Sequence, residues 1–329
     1  ASVMVYHLER YLPIFSYRYF QTKGIDAKNN YEAFYPNSTW TGDDGFNVSN
    51  ASVKEYGIIA NNGYIHAVDR VVEPLETIYT ELKNKEKYST FLDLYDSFGV
   101  YVADDELSKS YAKAYGVDTL YQYQHGGLPN IACEWPTSSY LNFTALTALS
   151  YSIFAPSNTA INSFFDSFWK IGGYSSMQEV DALALNYFLY QFIYGGSMLF
   201  PEELGDDELK NLAGSSLNIN PAALNEKTMC VNGALYGMDE IKEPSTFASV
   251  IGPLFQYKSA RSFLYALLGS SLFSSYVSDL SKYIVLVPTA EQFEASGIRT
   301  VYSTQGLEAE GDDGWAEISN TAKQNIVYL

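Results

Sequence analysis

The chain has 329 residues, 47% of them hydrophobic and 18% charged, so it carries apolar material for one large core or two to three modest ones and is not disordered. Twenty basic side chains against 38 acidic ones leave a net charge of −18, which argues against nucleic acid and anionic membrane surfaces as partners. No run of about 18 apolar residues is present, so no transmembrane segment is expected.

Residues 1–20 read as a helix or helix-to-strand passage, with Met4, Leu8 and Tyr11 on one face and Pro13 interrupting it. No leader is visible ahead of this apolar segment, which implies that any leader is removed or lies outside this chain. A polar loop over 36–50 is followed by a strand over 53–60 and then by Asn62-Gly63, the signature of a tight turn. The alternation Ile65, Ala67 against His66, Val68 and the apolar pair Val71-Val72 continue as a strand, which Pro74 closes. Pro74 also marks a boundary. A helical pattern begins after it with Leu75, Ile78 and Leu82 and continues in Phe91, Leu94, Tyr95 and Phe98. Residues 178–194 read as a helix ended by Gly195-Gly196, and Pro201-Glu202-Glu203 opens a loop-and-strand region. Trp315, Ile318, Ala322, Ile326 and Leu329 have helical spacing, with Asp312 and Asp313 suited to the start of that helix.

The stretch Asn62 to Pro74 occurs twice. Asn232-Gly233-Ala234-Leu235-Tyr236-Gly237-Met238-Asp239-Glu240-Ile241-Lys242-Glu243-Pro244 matches it at a constant offset of 170 residues, with Asn, Gly, Asp, Glu and Pro identical at five of thirteen positions. Typical residue frequencies give roughly one chance identity over such a window, so this is an internal repeat. Downstream, Ser262-Phe263-Leu264 stands where Thr90-Phe91-Leu92 stands in the earlier copy, at an offset of 172.

The motif Asn-Gly-x-Ile-His-x-Val-Asp-x-Val-x-x-Pro resembles the C-terminal box of fasciclin-type domains. The family's N-terminal box, an apolar strand running into Ala-Pro-Thr/Ser-Asn-x-Ala-Phe, has a counterpart in Ile153-Phe154-Ala155-Pro156-Ser157-Asn158-Thr159-Ala160-Ile161. A weaker version stands at Leu286-Val287-Pro288-Thr289-Ala290-Glu291-Gln292-Phe293. The resemblance implies an α+β fold, tandem domains each a wedge of short mixed strands bordered by helices. Residues 1–74 would be the C-terminal half of one domain, 75–254 a complete domain and 255–329 the N-terminal half of another. The middle domain carries an insertion over about 99–140, foreign to the family's usual form and rich in aromatics. Two accounts of the half-domains stay open. The chain is a piece of a longer array, or the halves meet, within a chain or between chains, as one complemented domain.

Candidate chemistry is sparse. The histidines are His7, His66 and His125, and no Gly-x-Ser-x-Gly elbow accompanies them. His66 aligns with Tyr236, so a structural role is expected, both side chains being flat and able to hydrogen-bond a neighbouring strand. Gln124-His125-Gly126-Gly127 reads as a Gly-Gly turn. Acidic clusters at Asp104-Asp105-Glu106, Glu202-Glu203, Asp206-Asp207-Glu208 and Glu308 to Asp313 read as solvated loops without calcium-loop spacing. No phosphate cradle is present, and no cofactor or metal is expected. Cys133 and Cys230 would either form one bridge or remain small buried hydrophobes.

Asn62, Gly63, His66, Asp69, Pro74, Pro156, Asn232, Gly233, Asp239, Pro244 and Pro288 are therefore expected to be structural motif residues, and Tyr111, Tyr115, Tyr121, Tyr123 and Trp135 a candidate binding surface. By resemblance, the chain is expected to be a non-catalytic extracellular or cell-surface adhesion and protein-interaction protein, secreted or lipid-anchored through a part outside this chain. The 29 tyrosines and the Asn-x-Ser/Thr triplets at Asn37, Asn47, Asn50 and Asn142 lean the same way. Alternatives are a glycan-binding or structural accessory subunit of a bacterial surface complex, and a hydrolase with converging carboxylates.

Overall fold

The computed structural model describes residues 12–132, 150–206, 208–217, 219–270, 272–277 and 282–328. It is a mixed α+β protein with several small sheets. The chain divides into two compact units. Met4, Leu8, Tyr11, Cys133, Trp135 and Asn142 lie outside the described residues.

The first unit comprises Ala1–Ser157, Phe192–Leu212 and Leu217–Asp239, and Pro74 falls inside it. It begins with β1 (Ile14–Phe15), α1 (Tyr17–Lys23), α2 (Ala27–Phe34), β2 (Asn47–Val48), β3 (Ala51–Ala60) and β4 (Gly63–Val68). Ser16 and Asp26 cap the two helices through their side chains. Antiparallel pairing gives a sheet of order β1-β2-β3-β4, with β4 at its edge. Then come α3 (Ile78–Lys83), α4 (Ser89–Asp96), β5 (Gly99–Ala103), α5 (Asp105–Tyr111), β6 (Tyr121–His125), β7 (Tyr151–Pro156), β8 (Ile193–Gly195), β9 (Leu224–Cys230) and β10 (Gly233–Met238). A second sheet has order β8-β7-β10-β9, in which β7 and β10 run parallel. Both central strands are buried, as their apolar runs require.

The two Asn-Gly stretches make equivalent hairpins. In β3–β4, Ala60 pairs with Gly63; in β9–β10, Cys230 pairs with Gly233, 170 residues later in each case. Their surroundings differ. β10 is wholly buried, whereas every residue of β4 is exposed. His66 accepts a hydrogen bond from the Gly57 N–H (3.2 Å) and meets Phe46 edge-on. Tyr236 stacks on Phe154 (5.1 Å) and donates its hydroxyl to the Leu199 carbonyl (2.6 Å). Asp69 accepts from the Ser52 N–H; burial opposes its charge, but hydrogen bonds from Arg70 and Ser52 hold its carboxyl below the usual range. Asp239 pairs with Lys87 (2.8 Å), which lowers its carboxyl.

An aromatic cluster fills the space beside these sheets, with Phe200 against Phe20 (5.0 Å), Phe34 (5.8 Å) and Phe15 (6.4 Å). The acidic residues near it are bonded rather than merely solvated. Glu203 pairs with Lys23 (2.9 Å), and Glu202 accepts from the Asn30 side chain (2.7 Å). Asn47 is fully buried, bonded to Tyr31, Thr39 and Thr41, and Asn50 is buried too. Of the described acceptor triplets only Asn37 is open to solvent. Cys230 is a buried free thiol.

The second unit comprises Asn158–Gln191, Ala213–Ser216 and Glu240–Leu329. It contains α6 (Asn158–Ser167), α7 (Ala182–Tyr190), α8 (Ser245–Ala248), α9 (Gly252–Gln256), α10 (Arg261–Leu268), α11 (Phe273–Val277), α12 (Ala290–Ala295), β11 (Ile298–Val301), β12 (Gly306–Gly311), β13 (Gly314–Glu317) and α13 (Asn320–Tyr328). Its core is Trp169 among Phe164, Phe188 and Phe247, with the indole N–H donated to the Phe255 carbonyl (3.1 Å).

The offset of 172 holds for whole elements. A 3₁₀ turn and α4 occupy Glu86–Tyr88 and Ser89–Asp96; a 3₁₀ turn and α10 occupy Lys258–Ala260 and Arg261–Leu268. Two sequence expectations are corrected. The helix expected over 178–194 is confined to Ala182–Tyr190, because residues 193–195 pair with β7. Trp315 lies on β13, because Asp312-Asp313 between Gly311 and Gly314 is a hairpin turn and not a helix start.

Candidate functional site

The expected insertion begins as a hairpin interrupted by a helix. β5 and β6 pair antiparallel with Tyr101 opposite Tyr123, Gly99 opposite His125 and Ala103 opposite Tyr121, so these six residues share one face. Tyr101 and Tyr121 are exposed, and their neighbour Tyr123 is half-buried. The Tyr101 and Tyr123 rings lie 5.1 Å apart, and Tyr123 also meets Tyr79 of α3 at 5.9 Å.

Asp96 anchors this face. It ends α4, where the helix dipole disfavours a carboxylate, and three polar groups gather on it. The Tyr123 hydroxyl donates to Oδ1 (2.8 Å), the Tyr79 hydroxyl donates to Oδ2 (3.1 Å), and His125 Nε2 lies 3.0 Å from Oδ1. Gly99 makes room for this arrangement, since a Cβ there would fall 2.1 Å from the Tyr123 hydroxyl. Burial and the Asp96 charge push the Tyr79 phenol up to about 12 and raise Tyr123 as well, so both remain donors at neutral pH. The Asp96 side chain keeps 32% of its surface open to solvent.

His125 is buried between Tyr95 (4.6 Å) and Tyr123 (4.9 Å). Burial pushes its imidazole below its ordinary value, against the opposing pull of Asp96. The neutral ring then donates from Nε2 to Asp96, and among the described residues the buried Nδ1 has no hydrogen-bond partner. A histidine that must stay neutral makes folding pH-sensitive. The unfolded chain takes up the proton near pH 6.5 while the folded chain resists it, so stability is full above that pH and falls as pH drops below it. Urea midpoints at pH 7.5 and 5.5 are expected to fall more in the wild type than in His125→Gln.

Val102, Gln122 and Gln124 of the other face, with Ala103, Asp104, Asp105 and Glu106 at the end of β5, line a cleft of about 310 Å³. Asp104 caps α5 by accepting from the Leu107 N–H (2.8 Å). Among the described residues no group of His, Cys, Asp and Glu is arranged to hold a metal ion.

Of the sequence-predicted surface residues, Tyr121 and Tyr123 share the hairpin face, while Tyr111 ends α5 and Tyr115 ends the 3₁₀ turn after it. Trp135 lies outside the described residues. Asp96, Tyr79 and Tyr101 carry no signal in the sequence that marks them as site residues, and His125 reads there only as part of a turn. No protein-family model matches the chain, and no curated protein matches it. Among the described residues, no helix is long and apolar enough to cross a membrane.

Proposed function

We propose that this chain is a non-catalytic binding protein of the extracellular space or cell surface, built of tandem fasciclin-type domains and engaging its partner through the tyrosine face of the β5–β6 hairpin. The observation that supports this reading is the pairing of exposed rings with a rigid support. Tyr101 and Tyr121 stand on a two-stranded sheet, and Tyr123 and Tyr79 beneath them are tied to Asp96. Such rings present a large surface whose conformational freedom is already spent, and each keeps a polar tip.

The half-open Asp96 carboxylate favours a second reading, in which the ligand is a glycan and the chain is an accessory subunit of a surface complex. Rings offer a sugar its apolar face a surface to stack on, and a carboxylate accepts from its hydroxyls. Glycan-array binding and capture of purified surface proteins separate the two. On either reading, Tyr101→Ala combined with Tyr121→Ala is expected to weaken binding at least about tenfold, or about 1.4 kcal/mol. Full binding by the double variant contradicts this placement of the surface. Binding of sugar alone supports the second reading, and binding of protein alone the first.

A further inference from the structure

We propose that β4 of one copy of this chain pairs in parallel with residues 283–288 of a second copy, rebuilding between molecules the β7–β10 pairing seen within each one. The inference stands on the repeat and is independent of the tyrosine face.

The template is the register of β10 on β7, in which Gly233 pairs with Tyr151, Leu235 with Ile153, Tyr236 with Phe154 and Met238 with Pro156. Each strand has a second copy in the sequence. β4 repeats β10, and Tyr283-Ile284-Val285-Leu286-Val287-Pro288 repeats Tyr151-Ser152-Ile153-Phe154-Ala155-Pro156, with Tyr and Pro identical at the ends. Both segments run into a helix, α6 after Pro156 and α12 after Pro288-Thr289. Carried across, the register sets Gly63 against Tyr283, Ile65 against Val285, Ala67 against Val287 and Val68 against Pro288.

Among the described residues both copies of the pairing surface stand open. Among the described residues β4 is the outer strand of its sheet, and the segment 282–289 belongs to no sheet. Tyr64, Ile65 and Val68 are exposed on the one, Ile284 (93%) and Leu286 (78%) on the other. Open apolar edges of this kind recruit a strand. The glycines make the comparison sharper. A Cβ on Gly233 would collide with the Tyr151 carbonyl at 1.9 Å, whereas the same position on Gly63 has nothing within 4 Å. Among the described residues, none takes beside β4 the place that Tyr151 takes beside β10. Behind residues 285–288 lies an apolar cleft of about 780 Å³, lined also by Phe293, Ile298 and Ile326. Because each copy carries one strand of each kind, each contact joins unlike surfaces; two copies that make both contacts close as a dimer, and single contacts run head-to-tail.

Disulfide trapping tests the register. In a Cys133→Ser background, a chain carrying Ala67→Cys is mixed with a chain carrying Val287→Cys. The expected result is a mixed disulfide between the two chains, and none when Lys282→Cys replaces Val287→Cys. Sedimentation is expected to show mass rising with concentration. Ile65→Asp should raise the dissociation constant at least tenfold without moving the urea midpoint measured at concentrations where the wild type is monomeric. A monomer at all concentrations overturns the proposal. So does cross-linking confined to a single chain carrying both cysteines, and so do oligomers that form without the in-register cross-link.

Discussion

Tyr236→Ala is expected to lower the unfolding free energy by about 3–5 kcal/mol, whereas His66→Ala at the aligned position should change it by less than about 1 kcal/mol. The two residues occupy the same place in the repeated motif, so the contrast isolates what the neighbouring strand contributes. Tyr236 is fully buried, stacked on Phe154 and meeting Phe34 at 5.7 Å. Truncating it leaves a cavity bordered by rings that cannot collapse into it, and it strips the Leu199 carbonyl of its donor. His66 is exposed and loses one hydrogen bond from Gly57 and one edge contact with Phe46. Urea denaturation of the two variants beside the wild type measures both. Equal losses would show that the two strands carry equal packing, contrary to their burial.

Asn232→Ala is expected to cost about 2–4 kcal/mol, and Asn62→Ala less than about 0.5 kcal/mol. The Asn232 side chain is a buried clamp. Its oxygen accepts from the Ile78 N–H at the start of α3 (2.9 Å), and its amide donates to the Ile131 carbonyl (2.9 Å). Alanine leaves the Ile78 N–H buried and unpaired, which is the expensive way to lose a hydrogen bond, and takes one of two donors from the Ile131 carbonyl, which keeps the Tyr79 N–H (3.1 Å). Asn62 makes the same turn in the open, where water replaces whatever it loses. Amide exchange at Ile78, compared between wild type and Asn232→Ala, reports the clamp separately from global stability. Unchanged protection there would contradict it.

Much of the fold was legible because its signals are local. Asn-Gly followed by alternating apolar residues specifies a hairpin strand at Gly63–Val68 and again at Gly233–Met238, and the helical spacing of Phe91, Leu94 and Tyr95 lies on α4. Each strand ends short of Val71-Val72 or Ile241 and of the Pro expected to close it, because the pairing with β3 or β9 stops at Val68 and Met238. Where a reading missed, the deciding partner was distant or the local signals conflicted. The helical period through residues 191–194 loses to the pairing of Ile193 with Ile153, a contact forty residues away in the chain. Trp315 keeps helical spacing with Ile318, but the Gly311 and Gly314 bracket around two aspartates turns the chain into β13 first.

The candidate site was half-legible for the same reason. The tyrosines of the hairpin stand out in composition, and the alternation Tyr121, Tyr123 puts both on one face of a strand. Asp96 does not stand out. Its donors come from α3, 17 residues before it, and from β6, 27 and 29 residues after it, so only the fold brings them together. The one local clue was a carboxylate at the C-terminal end of a helix, where the dipole offers it nothing.

On the proposed pairing, one repeated motif is complete within the chain and the other is completed by a neighbour. Hydrogen–deuterium exchange read at residues 63–68 and 283–288 over a hundredfold range of protein concentration tests this most directly. The predicted result is protection at both segments that rises together with concentration, while β7 and β10 stay protected throughout. Fast exchange at both segments at every concentration, or protection of one without the other, would contradict it.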